Sequence, residues 1–412
     1  MLQKIKNIYH LCIAIFANVW FFFPSRKLTI IGVTGTDGKT TTVSLIYHIL
    51  SESGYDVSMV STVGAIIGGE NYDVGFHVTN PEPFSLQRFI KKASEKGRYL
   101  ILEVTSHGLD QNRVYGIHFD IGVITNVTHE HLDYHKTYDR YLQTKLKLLF
   151  LANAAVINKD DASYQKIAHS IKEYPQKKWI TYGITSSADI TPSNFQFSSA
   201  LIGEFNRYNI LAAATVCKQL GLKDQAIRRG ILTFTPPIGR QEIVYAKDFK
   251  VIVDFAHTPN AFEKILSSLR KSAKGRLIHV FGSAGQRDKT KRPLMGKISS
   301  QFSDIIIITA EDPRKEHIED ITLDITKGIT DSSFEAVKTI EQINLKSNKK
   351  YIMEVSDRMQ AIAYAIQIAK KGDIVIITGK SHEKSMNYGH GEEPWNEFTA
   401  VNNALAKRKA HE

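Results

Sequence analysis

Short runs of apolar residues alternate along this chain with longer stretches in which apolar positions recur every three or four residues. Runs rich in valine and isoleucine are typical of buried strands, and the longer stretches have the period of amphipathic helices. Six strands are predicted first, at Leu28–Val33, Val57–Val60, Tyr99–Val104, Ile121–Asn126, Ala154–Asn158 and Trp179–Tyr182. Four more follow at Val251–Asp254, Leu277–Phe281, Ile305–Thr309 and Ile374–Thr378. The alternation predicts an α/β protein with mostly parallel sheets covered by helices.

The stretch of residues 235–240, Thr-Pro-Pro-Ile-Gly-Arg, separates two such series, because prolines and glycine interrupt both helices and strands. A chain of 412 residues is too long for a single hydrophobic core. We therefore expect a larger α/β domain over residues 28–238 and a smaller, Rossmann-like domain over residues 239–412. The second series lacks a Gly-x-Gly-x-x-Gly turn after its first strand, which argues against a dinucleotide site there.

Residues 1–27 precede the first predicted strand and contain the apolar run Leu11–Phe23. Basic residues flank this run on both sides, namely Lys4, Lys6, Arg26 and Lys27. The run is too short for a bilayer-spanning helix, which needs about 20 residues, and no small-residue cleavage site of a signal peptide follows it. We expect an apolar helix that packs on the following domain. The alternative is an interfacial helix that lies on a membrane surface.

The composition and the charge of the chain limit the classes of function that it can have. The chain is 42% hydrophobic and 23% charged, as in soluble globular proteins. Its two cysteines, Cys12 and Cys217, exclude a disulfide framework and a cysteine-based zinc site and favour a reducing cytoplasm. The net charge is +11, but lysines and arginines are spread along the whole chain rather than clustered with aromatic residues. This distribution favours anionic small-molecule substrates over nucleic acid.

A glycine-rich segment follows the first predicted strand and opens a helix; residues 32–41 read Gly-Val-Thr-Gly-Thr-Asp-Gly-Lys-Thr-Thr. Strand, turn and helix N-terminus in this order form a phosphate-binding loop, in which Lys39 meets the outer phosphates and the Thr40 hydroxyl reaches Mg²⁺. The generic pattern places a glycine five positions before Gly38, where this chain has Val33. The predicted nucleotide-binding residues of this loop are Gly35, Thr36, Asp37, Gly38, Lys39, Thr40 and Thr41.

This loop resembles the ATP-binding loop of the Mur ligases, which form amide bonds on peptidoglycan precursors; that family usually has Asn in place of Asp37. Matching motifs recur in the family's order from Gly32 to Glu383, and the MurE type is the most similar. The resemblance implies a central ATP-binding domain, a C-terminal amino-acid-binding domain, ATP and two Mg²⁺ ions. The family's N-terminal uridine-nucleotide-binding domain has no counterpart before the loop, where only the apolar helix stands.

The resemblance also implies magnesium ligands. Residues 103–109, Glu-Val-Thr-Ser-His-Gly-Leu, match a family motif in which Glu103 binds Mg²⁺. Residues 130–135, Glu-His-Leu-Asp-Tyr-His, match a motif in which His131 binds the second ion, with Glu130 in place of the usual Asp. Ten residues later, Lys145 takes the place of a lysine that CO₂ carbamylates, which gives it a negative charge beside the ion. Lys147 is the alternative, because the phenylalanine that usually follows the lysine by four residues follows Lys145 by five.

Further motifs imply contacts to the muramyl peptide and to ATP. Residues 77–82, His-Val-Thr-Asn-Pro-Glu, resemble the family's substrate loop. The residues expected to face the muramyl peptide are Thr79, Asn80, Ser106, Gln111 and Arg113. By the same resemblance, Asn209 contacts adenine, Arg240 a phosphate and Asp254 the ribose hydroxyls.

Three loops of the second domain, at residues 282–293, 310–316 and 378–383, resemble the amino-acid pocket of the MurE type. The residues expected to bind the incoming amino acid are Arg287, Asp312, Arg314, Gly379 and Glu383. An arginine pairs through two bonds with a carboxylate, and a glutamate pairs with an ammonium group, so Arg314 and Glu383 fit meso-diaminopimelate. Lysine or another diamine stays an alternative substrate, because Asp312 replaces an Asn of the family motif and adds negative charge beside the site for a carboxylate.

The resemblance as a whole implies an ATP-dependent ligase of cell-wall biogenesis, and hence of cell shape and division. It would add meso-diaminopimelate or lysine to a muramyl-dipeptide precursor through an acyl phosphate, with Lys39, Lys145 and His131 as catalytic residues. The expected partners are the muramyl peptide and the free amino acid, with no nucleic acid. Residues 1–27 are the candidate for a peripheral membrane contact of an otherwise cytoplasmic enzyme. The alternatives are a glutamate ligase similar to folylpolyglutamate synthase and a non-catalytic ATP-binding subunit.

Overall fold

The computed structural model describes residues 2–73, 79–128, 130–345, 347 and 349–411. The chain divides into two compact units. The first consists of Met1–Thr128 and Tyr134–Pro237, and the second of His129–Asp133 and Ile238–Glu412. The change of unit after Pro237 falls within the proline-containing stretch of residues 235–240.

The first unit is built on a mostly parallel sheet. Its strands are β1 (Thr29–Thr34), β2 (Val57–Ser61), β3 (Gly64–Ile67), β4 (Glu70–Tyr72), β5 (Tyr99–Glu103), β6 (Phe119–Ile124), β7 (Ala152–Asn158) and β8 (Lys178–Tyr182). Their order across the sheet is β4-β3-β2-β5-β1-β6-β7-β8. The β2–β3 and β3–β4 pairs are antiparallel and the others are parallel. The phosphate-binding loop therefore leaves the sheet from a central strand.

Helices cover both faces of this sheet. They are α1 (Leu2–Trp20), α2 (Lys39–Glu52), α3 (Pro83–Lys96), α4 (Ser106–Asp110), α5 (Leu132–His135), α6 (Tyr138–Leu151), α7 (Tyr164–Glu173), α8 (Glu204–Gln219) and α9 (Asp224–Thr233), with a 3₁₀ turn at Pro24–Lys27. Apolar side chains of α2, α8 and α9 form the core on one face. Side chains of α3 and α6 form the core on the other. Strands buried on both faces explain the continuous apolar runs in the sequence.

The second unit contains another mostly parallel sheet. Its strands are β9 (Glu242–Ala246), β10 (Lys250–Asp254), β11 (Leu277–Phe281), β12 (Ile305–Ile308), β13 (Phe334–Val337), β14 (Lys350–Glu354) and β15 (Ile374–Thr378), and a separate hairpin has β16 (Ser385–Asn387) and β17 (Glu392–Pro394). The order in this sheet is β13-β14-β12-β11-β15-β10-β9; β9 is antiparallel to β10, and the other neighbouring pairs are parallel. The helices are α10 (Pro259–Ser272), α11 (Lys291–Phe302), α12 (Ile318–Thr326), α13 (Arg358–Ile368) and α14 (Glu397–His411), with a 3₁₀ turn at Ile340–Gln342.

The predicted fold class is confirmed, and all ten predicted strands are present with ends shifted by at most two residues. The strands that were not predicted are β3, β4, β9, β13, β14, β16 and β17. All of these occupy the outer two positions of a sheet or belong to the hairpin. Outer strands are covered less completely by helices, so their sequences lack the apolar run that marks a central strand.

The helix at the start of the chain packs on the first unit, as we expected, but it begins earlier in the sequence than the apolar run. Helix α1 lies against α3, and Asn18 of α1 donates a hydrogen bond to the Tyr115 carbonyl oxygen (3.0 Å). None of the helices in the described part of the chain combines the length and the apolar character needed to cross a bilayer.

A buried histidine links the sheet of the second unit to α11. His279 of β11 is fully buried, with Nδ1 2.9 Å from the Ser299 hydroxyl and Nε2 3.0 Å from the Thr378 hydroxyl. Burial, together with the positive charge of Arg358, lowers the pKa of His279 to about 3. A histidine in an unfolded chain has a pKa near 6.5. The unfolded state therefore takes up a proton first, and stability is lost as the pH falls from about 6.5 towards 3.

We expect the free energy of unfolding of the second unit to fall below pH 6.5 by up to about 1.4 kcal/mol per pH unit through this one histidine. Urea unfolding followed by fluorescence measures it, in a background in which Trp20 and Trp179 are replaced by phenylalanine so that only Trp395 reports. In His279→Asn this contribution to the pH slope should disappear, whereas His169→Asn, which alters an exposed histidine, should leave the slope unchanged. Equal slopes for the wild type and His279→Asn would contradict the prediction.

Candidate nucleotide and substrate sites

Two glycines with positive φ shape the loop between β1 and α2. Gly35 has φ 149° and Gly38 has φ 81°. A Cβ atom on Gly35 would lie 1.9 Å from Thr125 Oγ1, and one on Gly38 would lie 2.2 Å from Asn209 Oδ1. Only glycine permits this backbone conformation and this close approach. The loop thus closes tightly at the N-terminus of α2, where backbone N–H groups and the helix dipole favour a phosphate group.

The loop is supported by the residues that follow β6. The backbone N–H of Asp37 donates to Asn126 Oδ1, and Asn126 Nδ2 donates to the Asp37 carbonyl oxygen, both at 3.0 Å. The Thr125 hydroxyl donates to the same carbonyl oxygen at 2.7 Å. Because these bonds hold Asp37 through its main chain, they do not depend on whether Asp or Asn stands at this position.

A hydroxyl and a carboxylate converge beside the loop. Lys39 begins α2 and its Nζ donates to the Thr36 carbonyl oxygen (2.8 Å), which keeps the ammonium group at the loop. The next residue, Thr40, donates to Glu103 Oε2 (3.0 Å). Glu103 ends β5, is buried, and also accepts hydrogen bonds from the Thr62 N–H (3.1 Å) and hydroxyl (2.9 Å).

This pair fits a magnesium ion. Mg²⁺ is usually held by one or two protein oxygens, with phosphate oxygens and water completing an octahedron. Among the residues that the structure describes, no group of three or more His, Cys, Asp and Glu side chains could hold a metal ion. An ion at Thr40 and Glu103 would therefore take its remaining ligands from nucleotide phosphates and water.

The two lysines considered for carbamylation differ in their surroundings. Lys145 of α6 is 1% exposed, and its Nζ donates to the Gly35 carbonyl oxygen (2.6 Å) and lies 4.5 Å from the centre of the Tyr141 ring. The Lys147 side chain is 52% exposed, and its Nζ lies 4.0 Å from Asp110. Lys145 is thus at the phosphate-binding loop, whereas Lys147 is at the surface.

The predicted second magnesium ligand belongs to a different part of the fold. His131 has φ 56°, and its Nδ1 lies 3.9 Å from Glu130 Oε1. The segment His129–Asp133 groups with the second unit, and His129 lies outside the described residues. The position of His131 relative to Thr40 and Glu103 therefore stays a prediction.

Residues predicted to face the muramyl peptide come together in the first unit. Arg113 donates from its guanidinium group to the Asn80 carbonyl oxygen (2.9 Å) and to Gln111 Oε1 (3.1 Å). Ser106 Oγ lies 3.0 Å from a ring nitrogen of His135. Thr79 Oγ1 lies 2.9 Å from the Thr62 hydroxyl, which itself bonds to Glu103. The candidate substrate loops are thereby connected to the candidate magnesium ligand.

Asn80 serves the backbone of these loops. Its side chain is buried, donates to the Glu103 carbonyl oxygen (2.7 Å) and accepts from the Thr105 N–H and hydroxyl (2.8 Å each). These bonds tie the loop to the end of β5, and a direct contact of Asn80 with substrate stays a prediction. His77 and Val78, which the predicted substrate loop includes, lie outside the described residues.

Helix α1 holds the same loops, which was not predicted. His10 is buried, with Nε2 3.0 Å from Glu82 Oε2, and Asn7 donates to the Asp110 carbonyl oxygen (3.0 Å). Burial lowers the pKa of His10, although the charge of Glu82 opposes this. The sequence does carry a signal for these contacts: from Asn7 to Trp20 the helix is mostly apolar, and the polar residues Asn7, His10 and Asn18 interrupt it.

The residues assigned to ATP outside the loop lie in both units. In the first, Asn209 packs on Gly38, and its Nδ2 donates to Asn206 Oδ1 (3.1 Å). In the second, Asp254 ends β10 and accepts hydrogen bonds from the N–H groups of Gln241 (2.8 Å) and Ala256 (2.7 Å). Arg240 lies over the Phe255 ring, 4.4 Å from its centre. Their contacts to adenine, ribose and phosphate stay predictions.

The charge of Asp312 is compensated within the second unit. Lys380 is fully buried, and its Nζ lies 2.9 Å from Asp312 Oδ1 and 2.6 Å from Glu383 Oε2. Asp312 Oδ1 also accepts a hydrogen bond from the Asn387 N–H (2.9 Å). Because one ammonium group bridges the two carboxylates, Asp312 weakens a neighbouring carboxylate site less than its charge alone suggests.

Two arginines of the predicted amino-acid pocket are close enough to repel each other. Burial lowers the pKa of Arg314, the positive charge of Arg287 lowers it further, and the charges of Asp312 and Glu383 raise it. The Arg314 guanidinium donates to the Gly285 carbonyl oxygen (2.8 Å), which fixes its direction. Adjacent guanidinium groups create a positive potential that a carboxylate ligand would relieve.

Glu311 is a further buried group that was not assigned to the site from sequence. Burial raises the pKa of Glu311 to about 8, against the charges of Lys291 and Arg358. Its Oε2 has no hydrogen-bond partner within the described residues. Gly379, with φ 105°, passes so close that a Cβ atom there would lie 2.2 Å from this oxygen. The glycine is therefore required by the buried carboxyl group behind it.

The β16–β17 hairpin supports this pocket. The Arg314 N–H donates to the Asn387 carbonyl oxygen (2.9 Å). The Asp312 N–H points to the Met386 sulfur (3.3 Å). A Cβ atom on Gly389 would lie 2.5 Å from the Arg314 carbonyl oxygen. The hairpin thus holds the backbone of the segment that carries both Asp312 and Arg314.

Comparison with family models assigns the chain. The Mur ligase middle domain matches residues 33–217, and the Mur ligase, glutamate ligase domain matches residues 239–381. The chain belongs to the Mur ligase family. Mur ligases are ATP-dependent enzymes that form amide bonds, and both the resemblance seen in the sequence and the predicted enzyme class are confirmed.

Similar Mur ligases include two named UDP-N-acetylmuramoyl-L-alanyl-D-glutamate–2,6-diaminopimelate ligase. That of Clostridium acetobutylicum (ligase 1) is 37% identical over 382 residues, which cover 87% of this chain and 74% of the relative. That of Aquifex aeolicus is 37% identical over 413 residues, which cover 94% of this chain and 80% of the relative.

Solved structures of Mur ligases and related enzymes share the fold. A structure of a UDP-N-acetylmuramoyl-L-alanyl-D-glutamate–2,6-diaminopimelate ligase has 29% identity and a TM-score of 0.60, and the match covers 93% of this chain and 79% of that one. Folylpolyglutamate synthase of Mycobacterium tuberculosis has a TM-score of 0.68 at 16% identity, and the match covers 89% of this chain and 92% of that one. At 16% identity, the similarity to folylpolyglutamate synthase is evidence for the shared fold alone.

Proposed function

We propose that this Mur ligase joins a diamino acid, with meso-diaminopimelate as the first candidate, to a UDP-linked muramyl dipeptide. The names of the similar proteins support this substrate. The observation that carries the proposal is that charged groups of both signs meet in the second unit. Arg314 donates to the Gly285 carbonyl oxygen of the loop that carries Arg287 (2.8 Å), and Lys380 bonds to both Asp312 and Glu383. Meso-diaminopimelate has two carboxylates and two ammonium groups. Such a molecule needs cationic and anionic partners side by side.

The reaction proceeds in two steps. A carboxylate of the muramyl peptide attacks the γ-phosphorus of ATP, ADP leaves, and an acyl phosphate forms; Lys39 at the loop offsets the charge of the transferred group. An amine of the diamino acid then attacks the acyl carbon, phosphate leaves with the C–O bond electrons, and the nitrogen loses a proton. Binding the amine beside the acyl phosphate replaces a bimolecular encounter with a positioned one.

The residues proposed to hold magnesium follow from the site and from the family resemblance. Thr40 and Glu103 would hold the first ion, and His131 with a carbamylated Lys145 the second. Magnesium supplies positive charge that offsets the negative charge on the phosphates. The burial of Lys145 at the Gly35 carbonyl oxygen supports its assignment over Lys147.

Amino-acid-dependent phosphate release tests the substrate. The full chain is incubated with ATP, Mg²⁺ and UDP-muramyl dipeptide, and the rate is compared for meso-diaminopimelate, lysine, ornithine and glutamate. We expect release with meso-diaminopimelate. If phosphate is released only when lysine is added, the amino-acid substrate is lysine rather than meso-diaminopimelate. Release only with glutamate and a folate acceptor would favour the glutamate-ligase alternative, and no amino-acid dependence would favour a non-catalytic subunit.

Arg314→Lys should impair the use of meso-diaminopimelate by about 2–4 kcal/mol of transition-state binding, because an ammonium group cannot form the forked contact to a carboxylate. The measurement is kcat/KM for the amino acid at saturating ATP. Lysine, which lacks the second carboxylate, should show a smaller loss.

The control is Arg228→Lys, the same replacement at an exposed arginine of the first unit, which should leave kcat/KM unchanged. If Arg314→Lys reduces the use of both amino acids equally, Arg314 does not bind the distinguishing carboxylate.

A further inference from the structure

The outward side of α1 and the turn after it is covered by large apolar side chains. We call this surface the outer face of α1. It consists of Ile5, Ile8, Tyr9, Ile15, Phe16, Val19 and Trp20, followed by Phe22 and Phe23. These nine are almost half of the twenty large apolar side chains that are exposed in the described part of the chain. A contiguous apolar patch of this kind marks a docking surface.

The most deeply buried side chains of α1 are small or polar, whereas Leu11 and Ile13 are half-buried. Ala14 and Ala17 are fully buried, and His10 and Asn18 nearly so, with His10 Nε2 and Asn18 Nδ2 bonded to the unit. A helix that only completes a hydrophobic core turns its large apolar side chains inwards and its polar ones to water. In α1 this arrangement is reversed, so burial on the first unit does not account for the large apolar residues.

The charges around the outer face are all of one sign. Residues 1–27 contain four basic residues and no acidic one. Lys6 lies in the first part of the helix, and Arg26 and Lys27 lie just beyond its end; all three are exposed. Arg26 also lies over the Phe23 ring, 4.7 Å from its centre. An apolar stripe between basic ends is complementary to a surface that is apolar inside and anionic outside.

The acidic groups next to α1 are engaged on its inner side. Glu82 bonds to His10 and lies 3.4 Å from the Arg113 guanidinium. Asp110 accepts hydrogen bonds from the Asn7 side chain (3.0 Å, at its carbonyl oxygen) and from the Tyr134 hydroxyl (2.6 Å, at its carboxylate). These contacts pair both carboxylates with polar groups of α1 or of the first unit, although the Glu82 side chain stays 56% exposed.

We propose that α1 docks this Mur ligase on the surface of an anionic lipid bilayer, with the helix axis along the surface and the outer face at the boundary of the acyl chains. An amphipathic helix of this kind enters the bilayer by about 5–10 Å, and anionic headgroups attract its basic residues. Tyr9 and Trp20 each combine an apolar ring with a polar group, which suits the headgroup boundary. The docking is independent of which amino acid the enzyme adds.

Vesicle flotation of the full chain tests the proposal. We expect co-flotation with vesicles of phosphatidylglycerol and phosphatidylcholine, weaker binding to phosphatidylcholine alone, and partial release by salt. In Arg26→Gln/Lys27→Gln the partition coefficient should fall about fivefold for each charge removed. Because both side chains are exposed, these changes leave the fold intact.

Two apolar positions provide a second variant. Ile8 is 61% exposed and Val19 57% exposed on the outer face. Ile8→Asp/Val19→Asp should abolish co-flotation, because charged side chains cannot enter the acyl boundary. The matched control is Leu323→Asp, which changes a 56% exposed apolar residue of the second unit and should bind vesicles as the wild type does. Phosphate release in the absence of vesicles should be unchanged in all these variants.

Cys12 reports directly on the outer face. Its side chain is exposed, whereas Cys217 is buried, and burial raises the pKa of the Cys217 thiol well above its usual value, so a thiol reagent labels Cys12. A nitroxide at Cys12 should become more accessible to oxygen and less accessible to a polar nickel complex when anionic vesicles are added. No co-flotation, unchanged accessibility, or a concentration-dependent dimer that Ile8→Asp/Val19→Asp dissociates would each overturn the proposal, the last in favour of a second copy of the chain.

Discussion

We expect Lys39→Ala to reduce amino-acid-dependent phosphate release by at least about a hundredfold, because it removes a positioned positive charge from the transferred phosphoryl group. Lys39 begins α2, and its Nζ donates to a backbone carbonyl oxygen of the loop. The side chain therefore contributes little to the core, and the thermal midpoint should stay within a few degrees of the wild type. Initial rates at saturating ATP measure the loss.

The matched control is Lys172→Ala, which removes a lysine from the surface helix α7 and should retain full activity. Retention of more than about a tenth of the activity in Lys39→Ala would contradict the assignment of the phosphate-binding loop, since a single electrostatic donor in such a site accounts for about two to three decades of rate.

The second large effect is expected at Lys145. Lys145→Ala should be inactive, whereas Lys147→Ala should keep near wild-type activity, because Lys145 is buried at the Gly35 carbonyl oxygen and Lys147 is exposed. A short carboxylic acid such as acetate or propionate should partly restore Lys145→Ala, since a carboxylate in the vacated space supplies the negative charge of a carbamate. Phosphate release with and without the added acid measures the rescue.

Rescue separates a chemical role from a structural one. If Lys145→Ala is inactive because the loop collapses, its thermal midpoint should fall and no carboxylic acid should restore activity. If Lys147 proved essential and Lys145 dispensable, the motif would have been aligned wrongly, and Lys147 would take the place of the family's carbamylated lysine. Neither result would alter the family assignment, which rests on both domains.

Much of the central architecture was predictable from sequence because its signals are local. A strand buried on both faces must be apolar along its length, so β1, β5 and β11 were visible as continuous runs. The phosphate-binding loop was equally visible, because its glycines satisfy a backbone requirement within a few residues. The outer strands, such as β9 and β13, carry no such signal, since packing covers them only partly.

The sequence by itself determined the central strands of both sheets, the glycine-rich loop after β1 and the family, because each depends on residues that are near one another along the chain. Only the tertiary structure decided which lysine lies at the loop, that Lys380 compensates Asp312, and that α1 turns His10 inwards and Trp20 outwards. These features depend on contacts between distant segments. Burial and charge pairing are properties of the space around a side chain, which hydrophobic periodicity along one segment does not specify.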